Sequence, residues 1–287
     1  MQIDGSTKIV GVFGWPITHT ASPAMHNAAF DALKMNWVYL AFPVDPRNLR
    51  SALHGARDMG LTGLNLTVPH KILALDLVDE VDAHARRLGA VNTVCIENGK
   101  LRGFNTDGYG FNKAIKEEFN LSLKGRRILV LGAGGAGRGI AIQCGLEGAA
   151  KVFVANRTAA KIEPIAKELS SMKTEFHALA LKSKDIAKVI HEVDLLVNAT
   201  SVGLSPGETL GLGREVFSPK LFVYDTIYRP AETELLRAAS DAGAKVAGGL
   251  SMLLHQGAKS FELWTKRKAP AAVMRRALQT AIYGERA

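Results

Sequence analysis

The sequence predicts an α/β protein of two domains with mostly parallel sheets, and three observations carry that expectation. First, its 287 residues are long for one domain and comfortable for two. Second, short apolar runs alternate with helical stretches along most of the chain, the βαβ rhythm of a parallel sheet with right-handed crossovers. Third, Arg126 to Gly139 joins an apolar run, Ile128-Leu129-Val130-Leu131, to a glycine-rich turn, and a small-residue helix over Gly139 to Leu146 follows. A run of that kind reads as a strand buried on both faces.

Composition narrows the classes. Hydrophobic content of 47% supports a sizeable core, and a charged content of 22% is ordinary for a globular protein. The formal net charge is +9, but the lysines and arginines are scattered and no aromatic-interleaved basic stripe appears. The reading is therefore no nucleic acid, with the positive field suited to anionic small molecules, and Lys266-Arg267-Lys268 reads as a solvated helix end. Cys95 and Cys144 lie far apart on apolar stretches, as buried thiols in a reducing compartment would. No basic n-region with an apolar core opens the chain, and no run of about 18 apolar residues occurs. The expectation is a cytoplasmic protein with no membrane span. The eight histidines form no H-E-x-x-H or similar pair, so no metal site is expected.

In order, Lys8 to Gly14 reads as a strand, and Pro23 opens a helix with Ser22 as its cap. Thr20 and Ser22 thus sit in a strand-to-helix loop, where their hydroxyls either cap or hold a carboxylate. Trp37 to Phe42 is a strand, Asn48 to Met59 a helix, and Leu61 to Thr67 a strand that leads to Lys71 at a helix start. Asn65, Thr67 and Lys71 then cluster at a strand's carboxyl end, where open α/β sheets bind ligands; a plain surface lysine is the competing reading for Lys71. Gly89 to Ile96, with Asn92 inside it, is a strand that turns at Asn98-Gly99 and returns through Leu101 to Gly108. Asp107 precedes a helix over Tyr109 to Phe119 and is either an N-cap or a cleft residue between two domains, 1–107 with 250–287 and 108–249.

Gly132, Gly134 and Gly137 fit the G-x-G-x-x-G spacing of a dinucleotide site. Gly132 allows the tight turn, Gly134 lets backbone amides approach a pyrophosphate, and Gly137 packs helix against strand. The second domain is then of Rossmann type. Its next strand, Lys151 to Ala155, precedes a helix over Ala159 to Ser171. Asn156-Arg157-Thr158 follows that strand, 24 residues after Gly132, where an NAD site would carry an acid. Guanidinium pairs a 2′-phosphate with two bonds and a carboxylate would repel it, so the cofactor is expected to be NADP. Strands over Asp194 to Asn198, Leu221 to Asp225 and Lys245 to Ala247 follow, with a helix over Glu232 to Ala242. Helices over Ser251 to Lys266 and Pro270 to Ala281 close the chain and are expected to return to the first domain.

The segments Gly14 to Pro23, Asn65 to Lys71, Gly89 to Thr93, Asn105 to Gly108, Gly132 to Ala136, Asn156 to Thr158 and Asn198 to Ser201, with the Gln256 helix, resemble in order the shikimate dehydrogenases. The resemblance runs from about residue 8 to residue 270. It implies NADP-dependent, reversible reduction of 3-dehydroshikimate to shikimate in aromatic amino-acid biosynthesis. It also implies Lys71 and Asp107 as the catalytic pair, Thr20 and Ser22 on the substrate carboxylate, and Thr67, Asn92 and Gln256 on the ring hydroxyls. Tyr228 would line the substrate. Gly132, Ala133, Gly134, Gly135, Ala136, Asn156, Arg157, Thr158, Lys161, Thr200, Ser201 and Thr226 would hold the cofactor, with Gly249 and Met252 at its nicotinamide end. Hydride transfer is the cofactor's work, and the protein must orient the ring and handle one hydroxyl proton. A homodimer is one assembly allowed.

Three positions depart from the pattern. Thr20 replaces the usual serine, Lys161 stands where arginine is common, and Ala83 stands where some members carry a polar residue. The first touches substrate choice and the others cofactor affinity. The competing functions are a broad quinate/shikimate dehydrogenase using NAD, against which Arg157 argues, and a non-catalytic NADP-sensing protein, against which Lys71 and Asp107 argue.

Overall fold

The computed structural model describes residues 3–205 and 207–284. They fall into two compact units, one of residues 3–110 with 253–284, the other of the described residues within 111–252. Both are α/β.

The first unit opens with β1 (Lys8–Gly14), α1 (Ser22–Ala32), β2 (Trp37–Pro43), α2 (Leu49–Asp58) and β3 (Gly63–Leu66). The short elements α3 (His70–Leu73), β4 (Glu80–Val81) and α4 (Ala83–Leu88) follow, then the hairpin β5 (Thr93–Glu97) and β6 (Lys100–Phe104). Helix α5 (Asp107–Phe119) begins in this unit. The strand order is β2-β1-β3-β5-β6-β4. Three pairings are parallel, and β3–β5 and β5–β6 are antiparallel. The hairpin makes that difference: Asn98 and Gly99 both take positive φ, which a two-residue turn following the sheet's twist requires.

Sequence spacing explains the core on one face of this sheet. Leu49, Leu53 and Ala56 line one side of α2 and pack against Leu64, Leu66, Val94 and Leu101. Elsewhere in the unit, Phe30 stacks on Phe261, and Trp264 donates its indole N–H to the Val94 carbonyl at 3.0 Å.

The second unit holds β7 (Arg127–Leu131), α6 (Gly135–Leu146), β8 (Lys151–Asn156), α7 (Glu163–Leu169), β9 (Glu175–Ala180) and α8 (Ser183–Val189). It continues with β10 (Leu195–Asn198), β11 (Phe222–Asp225), α9 (Glu234–Asp241) and β12 (Lys245–Ala247). The order β12-β11-β10-β7-β8-β9 is parallel throughout, the doubly wound Rossmann arrangement. Ile128 to Leu131 have no exposed surface, as a central parallel strand covered on both faces demands. Helices α10 (Leu250–Thr265) and α11 (Ala271–Tyr283) complete the fold, and α11 packs on α1. The expected return of the C-terminal helices to the first unit is what the structure has.

Several elements differ from the sequence reading. The strand expected from Gly89 begins at Thr93, because Gly89 instead ends α4 in the left-handed region at φ 67°. The helix after the glycine-rich turn starts at Gly135 rather than Gly139. The helix expected over Ala159 to Ser171 is split: Ala159–Lys161 is a 3-10 turn, and Pro164 sits in the first turn of α7. Cys95 and Cys144 are free and buried; burial pushes the Cys95 thiol up to about 12, and Cys144 higher still. No helix among the described residues is long and apolar enough to cross a membrane.

His26 on α1 is fully buried, stacked on Tyr39 with ring centroids 4.4 Å apart, and neither ring nitrogen has a partner among the described residues. Burial pushes its pKa down from 6.5 to about 3. Above pH 6.5 the ring is neutral in folded and unfolded chains alike, and stability is unaffected. Between pH 6.5 and about 3 only the unfolded chain takes the proton, so stability falls as the pH falls. Between pH 7.5 and pH 5 the wild type should lose about 2 kcal/mol more than His26→Leu. Urea unfolding of both chains at both pH values checks this, and equal losses contradict it.

Candidate active site

At the carboxyl end of β1 the chain turns through Thr20 into α1. The expectation that Ser22 caps this helix is not met: Ser22 is already helical, Ala21 occupies the cap position, and no side chain caps it. Thr20 Oγ1 instead accepts from the Ser22 backbone N–H at 3.3 Å. That bond occupies a lone pair and leaves the Thr20 hydroxyl proton free to point outward. Ser22 is 8% exposed and Thr20 half-buried.

A parallel substitution of roles occurs at α5. Asn105 Oδ1 accepts from the backbone N–H groups of Asp107 (2.9 Å) and Gly108 (3.4 Å), so the capping role open to Asp107 falls to Asn105. The Asp107 carboxylate is thereby free for other partners. Its Oδ2 accepts from Lys71 Nζ at 2.6 Å and its Oδ1 from Asn92 Nδ2 at 2.8 Å. The lysine and aspartate side chains are 17% and 7% exposed, so Lys71 is not an ordinary surface lysine. Its backbone is fixed as well, the Lys71 carbonyl accepting from Val91 N at 2.8 Å beside Asn92.

Asn92 is 2% exposed and bonded at both ends of its amide. Its Oδ1 accepts from Thr106 N (2.7 Å), the Thr93 hydroxyl (3.0 Å) and the Thr106 hydroxyl (3.2 Å). Its Nδ2 also reaches Thr106 Oγ1 at 2.9 Å and Gln256 Oε1 at 3.4 Å. Behind it, Asn65 Nδ2 donates to Thr93 Oγ1 (3.1 Å) and Ser260 Oγ (3.0 Å), and Tyr39 donates to Asn65 Oδ1 at 2.8 Å. Thr93 and Thr106 lie in segments that carry the resemblance but have no role in the sequence reading, and Ser260 is missed although it follows Gln256 by one helical turn. Thr67 is half-buried in the loop before α3. Tyr228 lies in the second unit, in the loop after β11, where burial raises its pKa.

The second cluster surrounds the glycine-rich turn. Gly132 has φ 99°, and a Cβ there would stand 2.9 Å from the Ala199 carbonyl oxygen; a Cβ on Gly137 would run into the Gly132 carbonyl. Gly134 sits at the N-cap of α6 with no side-chain cap and open space where a Cβ would be, and Gly135 and Ala136 begin the helix. The amides there have no side-chain cap among the described residues, which fits a pyrophosphate group. Ala133 N donates to Asn156 Oδ1 at 3.1 Å, and Asn156 Nδ2 donates to the Thr158 carbonyl at 2.9 Å, tying the end of β8 to the turn. Arg157, Thr158 and Lys161 are exposed beyond it, and fit a 2′-phosphate. At the ends of β10 and β11, Thr200 is half-buried, Ser201 is exposed, and Thr226 N donates to the Asn198 carbonyl at 2.9 Å. Gly249 packs on the Thr226 backbone, and Met252 N donates to Tyr224 Oη at 3.3 Å. Ala83 is the first residue of α4, in the other unit.

A dinucleotide-dependent oxidoreductase built of two α/β units is the class that this fold and these clusters define. Three family models match: "Shikimate dehydrogenase substrate binding domain" at residues 12–94, "Shikimate / quinate 5-dehydrogenase" at 113–204 and "Shikimate 5'-dehydrogenase C-terminal domain" at 249–279. The chain belongs to the shikimate dehydrogenase family. The shikimate dehydrogenase (NADP(+)) of Methanopyrus kandleri is 44% identical over 281 residues, covering 97% of each chain. That of Desulforamulus reducens is 42% identical over 284 residues, covering 98% of each. The Thermus thermophilus shikimate 5-dehydrogenase, solved with NADP(H) and shikimate, matches with a TM-score of 0.85 at 39% identity, over 96% of this chain and all of that one.

The glycine turn makes a stability prediction. Gly137→Ala forces α6 away from the Gly132 carbonyl and should cost about 1–3 kcal/mol, the usual range for overpacking. Gly134→Ala, with open space at its Cβ, should cost under about 1 kcal/mol. Thermal unfolding of the two variants side by side measures the difference, and equal shifts would count against the close approach.

Proposed function

We propose that the chain carries out the family's reaction, the reversible NADP-dependent reduction of 3-dehydroshikimate to shikimate, with Lys71 and Asp107 handling the proton. The observation that carries this is the 2.6 Å contact between Lys71 Nζ and Asp107 Oδ2 in a largely buried setting. NADPH, when bound, supplies the hydride. The new hydroxyl needs one proton at its oxygen, and a lysine N–H held by a carboxylate is a positioned source of it; in the oxidative direction the same pair receives it.

Asn92 and Gln256, bonded to each other, are proposed to hold ring hydroxyls, and Thr67 is proposed to do the same from the neighbouring loop. Thr20 and Ser22 are proposed to hold the substrate carboxylate, a role open to Thr20 because its hydroxyl accepts from the Ser22 N–H and keeps its own proton to donate. The turn residues Gly132 to Ala136, with Thr200, Ser201 and Thr226, are proposed to hold the pyrophosphate and nicotinamide side. Arg157, Thr158 and Lys161 are proposed for the 2′-phosphate. We also infer a cytoplasmic setting, in keeping with two buried, unpaired thiols.

Rates with shikimate and quinate, each against NADP and NAD, followed at 340 nm, test the reading as a whole. Shikimate with NADP should be the best pair, and no turnover with any pair would overturn it. Lys71→Ala should lower kcat by about 10²- to 10⁴-fold, the range for a positioned acid–base group, with the NADP Kd nearly unchanged; a near-normal kcat removes Lys71 from the chemistry. Arg157→Ala should weaken NADP by about 10- to 150-fold, from the strength of hydrogen bonds to charged groups, and leave NAD nearly untouched. Kd values for both cofactors decide it, since equal losses contradict a 2′-phosphate contact.

A further inference from the structure

The second unit contains a buried polar cluster whose core, Asn198, Asp225 and Thr233, none of the roles above uses. Asn198 and Asp225 are register partners at the carboxyl ends of β10 and β11, and both are fully buried. Asn198 Nδ2 donates to Asp225 Oδ1 at 3.0 Å and to the Val202 carbonyl at 3.2 Å. Asn198 Oδ1 accepts from the Thr200 backbone N–H at 3.1 Å and from its hydroxyl at 2.7 Å. Asp225 Oδ1 accepts from Ile227 N at 3.0 Å, and its Oδ2 from the hydroxyl of Thr233, itself 2% exposed, at 2.7 Å. The Ile227 carbonyl in turn accepts from Gly249 N at 2.9 Å. Three backbone segments, around Thr200, Thr226 and Gly249, therefore hang from one carboxylate–carboxamide pair.

The place of this pair in the sheet gives it a direction. In a doubly wound sheet a dinucleotide lies across the carboxyl ends of the strands, with its pyrophosphate at the turn after the first strand, here β7. Arg157 and Lys161 follow β8, on one side of β7, and this is the side proposed for the adenosine 2′-phosphate. β10 and β11 lie on the other side of β7. The ligand's second half must therefore cross the loops that Asn198 and Asp225 hold.

We infer that Asp225 is a positioning residue for the nicotinamide half of the cofactor. It touches no ligand itself and acts by fixing Thr200 through Asn198 and the Thr226–Ile227 backbone directly. Burial raises its pKa, and its three donors are matched to acceptor oxygens that an amide would only partly reproduce. The inference rests on the NADP reading of the second unit.

The test separates the two halves of the ligand by measuring Kd on the full chain for NADP⁺ and for adenosine 2′,5′-bisphosphate, which lacks the nicotinamide half. Asp225→Asn keeps the side chain's shape but turns one acceptor into a donor. It should weaken NADP⁺ by about tenfold, the lower end for a lost hydrogen bond to a charged group, and change adenosine 2′,5′-bisphosphate less than about twofold. Thr233→Val, which removes the Oδ2 partner, should show the same split, and Thr233→Ser should bind both ligands like wild type. Should Asp225→Asn fail to fold, the Thr233 pair decides alone. Equal weakening of both ligands means a structural role only and overturns the inference, as does unchanged NADP⁺ binding. Failure of the wild type to bind either ligand would instead overturn the NADP reading beneath it.

Discussion

The polar architecture of the first unit depends on the carboxamide of Asn92. Its oxygen takes three donors and its nitrogen serves Asp107, Thr106 and Gln256, so the amide can face only one way. An amide turned end over end would set its oxygen against the Asp107 carboxylate and its N–H groups against the Thr106 N–H. Each buried group left unmatched costs about 1–3 kcal/mol. The Lys71–Asp107 geometry is thus held from behind rather than by the pair alone, and the hydroxyls of Thr93, Thr106 and Ser260 carry that support to α10. Such a network rigidifies only because every member is satisfied.

The second unit solves a related problem with backbone instead of side chains. Around β7 the turn is made by close approach: glycines at 132 and 137 let strand and helix meet with no side chain between them. On the neighbouring strand, β10, a buried asparagine again organises the carboxyl end of the sheet, this time beside an aspartate on β11. In both units an uncharged amide orients groups whose directions matter more than their strength. Amides suit the task because they present a donor and an acceptor in a fixed plane.

Much of this was legible in the sequence, for identifiable reasons. Strand β7 and its turn stand out because a fully buried run meets glycines at a fixed spacing. Lys71 and Asp107 were candidates from their surroundings, but nothing in their 36-residue separation says that they touch; the β5–β6 hairpin and the anchoring of Lys71 on Val91 bring them together. Ser22 and Asp107 read as caps because residue type and position suit capping, and only the structure shows Ala21 in one cap position and Asn105 serving the other helix. Helix α4 is missed because six residues bury only Ala85 and Leu88, too few for a period. Strand β9 lies at the sheet's edge and no residue in it is fully buried, so it lacks the apolar run that marks its neighbours.

The first unit is made of two stretches far apart in the chain, whereas the second is continuous. A ribosome releases strands β1 to β6 well before α10 and α11, so Thr93 waits for Ser260, Val94 for the Trp264 indole and Phe30 for Phe261. Domains fold as units during synthesis, ordinarily in chain order. Here that order is inverted: the Rossmann unit has all its strands while the earlier-made sheet still lacks α10 and α11. The rings of Phe30 and Tyr39 therefore gain their α10 neighbours, Phe261 and Trp264, late in translation, and the Lys71–Asp107 pair gains its full supporting network only once α10 has emerged.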